Sequence, residues 1–176
     1  VVYFKDKEIK ALGVACFGPV DVNTASPTYG YILNTPKPAW GNYDIVGTLK
    51  KALNCPIGFD TDVNGSLLGE ATWGSAKGLT DVVYITIGTG IGGGILSGGN
   101  VVHGMLHPEM GHMKLIPVPG DNFPGRCPFH ANCFEGMASG PAINDRWGAS
   151  AGKLADRDEV WELESEYIAQ AVSNLR

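Results

Sequence analysis

The stretch ITIGTGIGGGILSGGN at residues 85–100 constrains the fold more than any other part of this chain. Gly88, Gly90 and Gly93 fall in the pattern G-x-G-x-x-G, which marks a dinucleotide-binding turn only when a helix follows the glycines. Here VVYITI at 82–87 has the β-branched and aromatic bias of a strand, and GGGILSGGNVV reads as strand, Gly-Gly-Asn turn, strand. A hairpin follows the glycines, so the dinucleotide-binding reading is set aside. A Gly-Thr-Gly turn between two strands still exposes backbone N–H groups that can hold phosphate oxygens, and Thr89 adds a hydroxyl donor. The plainer alternative is a Gly-rich hairpin without a ligand. The chain's 25 glycines stand well above the usual share of about 7%, and their cluster at 88–99 marks tight turns or close backbone approach.

Upstream of this hairpin, KALGVACF at 10–17 reads as a buried strand, ended by Gly18-Pro19. A loop rich in Pro, Thr, Tyr and Gly runs from Asp21 to Tyr43. Residues 44–53 read as a helix, with Asp44 as N-cap and Ile45, Leu49, Ala52 and Leu53 as its apolar face. A short strand is expected at 57–60 and a second helix at 63–73, where Leu67, Leu68, Ala71 and Trp73 are available for packing. This β-α-β-α order predicts an α/β fold. Downstream, 103–134 is loop-rich, and the spacing of Val160, Leu163, Tyr167, Ile168, Ala171, Val172 and Leu175 predicts an amphipathic helix over 157–175. No internal repeat is present, and the one lobe boundary is expected near Gly78-Leu79-Thr80, dividing 1–79 from 80–176. The four tryptophans, Trp40, Trp73, Trp147 and Trp161, read as packing residues.

Composition narrows the function. Hydrophobic residues make up 44% and charged residues 18% of 176 residues, an ordinary globular balance. The net charge is −5 with no basic run, which argues against a nucleic-acid partner. No apolar stretch nears the roughly 20 residues that span a bilayer, and no signal peptide opens the chain, so a cytoplasmic setting without a membrane partner is expected. The chain starts without Met inside an apolar segment and stops within a helical pattern at Arg176, which reads as a fragment.

Three further stretches carry chemistry. In TDVN at 61–64, at a strand-to-helix junction, Asp62 is placed to take a proton from a substrate hydroxyl. Spacing alone favours helix capping for it, and cannot rank it against Asp60. In HPEMGHM at 107–113, Glu109 can accept hydrogen bonds from sugar hydroxyls and His112 can bind a hydroxyl or a metal; loop solvation is the alternative. In CPFHANC at 127–133, Cys127, His130 and Cys133 form C-x2-H-x2-C, a zinc-like set for which His112 supplies a fourth ligand. The alternative is two reduced thiols and a surface His. Glu135 follows directly, where a metal would hold it rigidly. Cys16 and Cys55 read as buried thiols, and His103 and His107 as loop histidines.

Taken together, GVACFGPVD at 13–21, DVN at 62–64, ITIGTGIGGG at 85–94, HPEMGH at 107–112, CPFHANCFEG at 127–136 and ASGPA at 138–142 resemble the ROK family of sugar kinases and sugar-responsive repressors. HPEMGH with C-x2-H-x2-C is most similar to the family's fructokinases. The resemblance implies an actin-like, ribonuclease H-like ATPase fold of two lobes with the active site between them. It implies Asp62 as catalytic base, Glu109, His112 and Glu135 as sugar-binding residues, and His112, Cys127, His130 and Cys133 as ligands of a structural Zn²⁺. Gly88, Thr89, Gly90, Gly92 and Gly93 would hold the phosphates of ATP, with Mg²⁺ as its partner ion, and the intact protein would be a homodimer. The implied reaction is transfer of phosphate from ATP to a hexose, D-fructose first. Glucose, mannose or N-acetylmannosamine are alternative acceptors, and a repressor core or a zinc-stabilised sugar-binding fragment are alternative functions. Thr61 stands where many glucose and amino-sugar kinases of the family have Asn, which favours fructose. The family's Asp-x-Gly-Gly-Thr start and Gly-rich adenosine-binding end are not in this sequence, so the chain alone is expected to be inactive.

Overall fold

A computed structural model describes residues 2–4, 7–35, 37–104 and 107–176. Its contacts divide the chain into two compact units, Val1–Tyr84 with Gly94–Pro108, and Ile85–Gly93 with Glu109–Arg176.

In the first unit, β1 (Leu12–Cys16) and β4 (Ile57–Thr61) pair in parallel, Leu12 opposite Ile57 and Cys16 opposite Thr61. Parallel strands need a long crossover. Here it holds the short antiparallel pair β2 (Tyr31–Ile32) and β3 (Tyr43–Asp44) and helix α1 (Ile45–Leu53). Helix α1 starts where the sequence predicts, because the Asp44 carboxylate accepts from Gly47 N at 2.7 Å. It stops at Asn54, which takes the left-handed conformation that closes helices. Cys16, Val20, Ile32, Val46 and Phe59 form the core beneath. Helix α2 (Asp62–Trp73) leaves β4 without an intervening residue. Leu67 is fully buried, whereas Leu68 and Trp73 face outward. At 84% exposure, Trp73 is not a packing residue among the described residues, contrary to the sequence expectation.

Strands β5 (Val82–Ile87), β6 (Ile91–Ser97) and β7 (Asn100–Val101) form one sheet in that order. The expected turn is present: Gly98 and Gly99 have φ of 55° and 79°, the positive values a two-residue hairpin demands, and Asn100 already pairs with Ser97.

The second unit packs Ile91, Leu115, Phe134, Met137, Ala138, Tyr167 and Ala171 into a core. Two helices here are absent from the sequence reading: α3 (Phe134–Ala138) and α4 (Gly140–Trp147). Their caps explain them. Cys133 Sγ accepts from Gly136 N, and Ser139 Oγ accepts from Ala142 N, each from extended backbone ahead of the helix. Helix α5 (Asp158–Asn174) matches the predicted span and buries Val160, Tyr167 and Ala171. A buried ion cluster joins α4 to α5. The Arg146 guanidinium lies 2.6 Å from Glu164 and 3.2 Å from Asp121, and Tyr167 OH donates to Asp121 at 2.6 Å. Burial pushes the Glu164 carboxyl up to about 7 against the opposing pull of Arg146. Among the described residues no helix is long and apolar enough to cross a membrane.

Candidate active site and metal centre

The junction of β4 with α2 presents two carboxylates in different states. Thr61, 2% exposed, is the N-cap: its Oγ1 accepts from Asn64 N at 3.2 Å. Asp62 is therefore the first helical residue rather than the cap that spacing alone favoured. It is exposed, and Oδ1 accepts from Val63 N at 3.0 Å. Asp60 is engaged at both oxygens. Oδ1 accepts from Thr61 N at 2.8 Å and Asn64 Nδ2 at 2.7 Å, and Oδ2 lies 2.7 Å from His103 Nε2. Three donors hold the Asp60 carboxylate within the fold, while that of Asp62 is exposed at the start of α2, so Asp62 is the better placed of the two to meet a substrate hydroxyl.

A cation the sequence reading missed accompanies this junction. Lys37 Nζ sits 3.4 Å from the centre of the Phe17 ring, one residue beyond the end of β1. Burial raises the Cys16 thiol, the charge of Asp62 raises it further, and the charge of Lys37 opposes both. Lys37 lies in an irregular loop with no motif around it, so no pattern could have singled it out.

In the second unit, the turn Gly88–Gly90 is fastened on two sides. Gly140 N donates to Gly88 O at 2.8 Å, and Ile91 N donates to Glu135 Oε2 at 3.0 Å. That carboxylate oxygen lies 2.7 Å from where a Cβ on Gly90 would sit, so a side chain there has no room. Thr89 is exposed at the turn, while Gly92 and Gly93 lie inside β6. A cleft of about 530 Å³ opens beside Gly88 and Thr89, lined also by Arg126, Gly140, Asn144 and Gly152. Its Arg126 and Asn144 contributions were outside the sequence reading, which had Gly140 and Pro141 only as part of ASGPA, although Ser139-Gly140-Pro141 carries the cap and N-terminal proline that announce a helix start.

The metal-ligand candidates converge. His112, Cys127, His130 and Cys133 offer ligand atoms all within 4.8 Å of one another. Cys127 Sγ is 3.8 Å from both His112 Nδ1 and His130 Nδ1, and Cys133 Sγ is 3.5 Å from His112 Nδ1. Tetrahedral zinc with Zn–S near 2.3 Å and Zn–N near 2.0–2.1 Å sets S···N edges of about 3.5 Å. The donor set and its spacing therefore fit Zn²⁺. Both histidines turn Nδ1 to the sulfurs, which leaves His112 Nε2 for another partner. Burial pushes the Cys133 thiol up to about 11, with the Gly136 amide opposing. The motif at 107–112 reaches this cluster through the turn Met110–His112, with Glu109 just before it. A Cβ on Gly111 would lie 1.9 Å from Ile91 O, so only glycine lets this turn seat against β6.

The sequence profile of the ROK family matches residues 3–175. A fructokinase from Pediococcus pentosaceus is 44% identical over 173 residues, covering 98% of this chain and 60% of its own. The ROK hexokinase of Thermus thermophilus superposes with a TM-score of 0.75 at 25% identity, over 94% of this chain and 58% of that one. The ROK family glucokinase of Streptomyces griseus, solved with glucose and AMPPNP, superposes with a TM-score of 0.62 at 26% identity, over 97% of this chain and 55% of that one. The α/β fold is thus that of the actin-like ROK kinases. This chain spans 54–60% of the length of the fructokinase relatives it matches.

Proposed function

The chain belongs to the ROK family, and from that premise we propose that it is part of an ATP-dependent hexose kinase that phosphorylates D-fructose at its 6-hydroxyl. The observation that carries this is the 44% identity to a fructokinase across 98% of the chain. In this reading Asp62 removes the proton of the sugar hydroxyl, whose oxygen attacks the terminal phosphorus of ATP as the bond to the ADP oxygen breaks. The exposed carboxylate at the start of α2 supports that role. Glu109, His112 Nε2 and the second oxygen of Glu135 hold sugar hydroxyls. Gly88, Thr89, Gly90, Gly92 and Gly93 are the phosphate side of the site, and the cleft beside Thr89 receives the nucleotide with its Mg²⁺. Catalysis of this kind rests on positioning and charge stabilisation rather than covalent chemistry.

Zn²⁺ at His112, Cys127, His130 and Cys133 would be structural, because four protein ligands leave no open position. These residues would keep Glu135 rigid through α3, which Cys133 caps. The division into lobes at 1–79 and 80–176, a cytoplasmic setting and a homodimer belong to the same proposal.

A coupled assay on the full-length protein with ATP and fructose, glucose, mannose or N-acetylmannosamine tests it. Fructose is expected to give the highest kcat/KM. No turnover with any of the four sugars would sink the kinase reading, and turnover with glucose alone would sink the fructose assignment.

A further inference from the structure

Asp60 is the most heavily engaged carboxylate beside the proposed base, and the reaction as proposed does not use it. Its two oxygens receive three donors from three places: its own strand end (Thr61 N, 2.8 Å), the first turn of α2 (Asn64 Nδ2, 2.7 Å) and the chain leaving β7 (His103 Nε2, 2.7 Å). We infer that Asp60 and His103 form a positioning pair that sets the aim of Asp62, resting on the kinase reading above.

The argument starts at Asn64, which is 1% exposed. Asp60 can only accept, so Asn64 must turn Nδ2 toward it and Oδ1 away. That oxygen then points at Gly94 of β6, where an added Cβ would lie 2.6 Å from it. Asn64 is thus wedged between a carboxylate and a strand that carries no side chain at this point. Asp62 lies between Asp60 and Asn64 in sequence, so one carboxylate ties the segment that carries it at the Thr61 backbone amide on one side and at the Asn64 side chain on the other. His103 closes the arrangement from outside. The Asp60 bond requires a proton on Nε2, and a carboxylate partner fixes both ring orientation and tautomer. Removing the carboxylate charge would loosen the α2 start without removing any group that touches sugar or ATP.

The test uses the full-length protein with Asp60→Asn, His103→Ala and His103→Gln, the last returning an N–H donor near the place of Nε2. Asp60→Asn is expected to lower kcat 10- to 100-fold while sugar KM changes less than threefold. His103→Ala is expected to lose about tenfold in kcat, and His103→Gln to recover most of it. Amide exchange at 62–66 is expected to speed up at least tenfold in Asp60→Asn with the rest of the chain unchanged. A kcat within twofold of the parent in Asp60→Asn, or unaltered exchange at 62–66, overturns the pair. Exchange is read without substrate, so it decides the point even where the unmodified protein turns over no sugar, the result that sinks the kinase reading alone. Should Asp60→Asn fail to fold, His103→Ala against His103→Gln carries the decision, and equal loss in both overturns the inference.

Discussion

Single side chains in this protein are decided by what their lone pairs already do. Asp60 and Asp62 are two residues apart and chemically identical, yet among the described residues three donors occupy one and a single backbone amide the other. Asp62→Asn is therefore expected to cut kcat by about 10²–10⁴, the usual reach of a general base, while sugar binding survives. Steady-state kinetics with equilibrium sugar binding checks it, and near-normal turnover would remove Asp62 from the mechanism. The same residue-level logic applies to Cys127, whose Sγ faces two imidazole nitrogens at 3.8 Å. Under the proposed zinc site, Cys127→Ser is expected to lose zinc and lower the melting temperature together, since the free energy of binding a structural metal adds to that of folding. Metal analysis of the purified variant that still finds one zinc per chain would refute the site.

At the scale of elements, the starts of helices do much of the functional placement. Helix α2 begins where it does because Thr61 caps it, and that puts Asp62 at the exposed first position. Thr61→Ala is expected to cost about 1 kcal/mol of stability in denaturant melts. Thr61→Asn keeps a good cap, so stability should hold. Its kcat/KM ratio should move from fructose toward glucose, and an unchanged ratio would show that position 61 does not select the sugar. Asp44 and α5 were legible in the sequence, one as a cap ahead of an apolar face, the other as a stripe sustained over several turns. Helices α3 and α4 were not, because five and eight residues are too few for a 3.6-residue period to stand out. Trp73 misled for a different reason: its size favours burial on average, but it sits on the last turn of α2, facing out.

At the scale of the whole molecule, the buried Asp121–Arg146–Glu164 cluster links stability to pH. One guanidinium serves two carboxylates at 4–6% side-chain exposure, and burial lifts Glu164 to about 7. A raised carboxyl means the fold prefers its protonated form. That contribution is complete below the ordinary value near 4.5 and is lost as pH rises through about 7. Stability is therefore expected to fall as pH rises toward about 7 and to level off above it. Thermal melts from pH 5 to 8 should show it, and Glu164→Gln should flatten the slope. A slope unchanged in that variant would place the pH dependence elsewhere.

By itself the sequence determined the pieces that depend on local chemistry. The Gly-rich hairpin, the Asp44 cap, the long amphipathic helix and the C-x2-H-x2-C run are each written within a short stretch of chain, where spacing and propensity act directly. Only tertiary structure decided how distant residues share a site. Ile91 N finds Glu135 across 44 positions and Asp60 meets His103 across 43, whereas the grouping of His112 with Cys127, His130 and Cys133 was already expected from the sequence. Such pairings are set by how strands, turns and helices pack, and packing is a property of the folded chain that no short window of sequence contains.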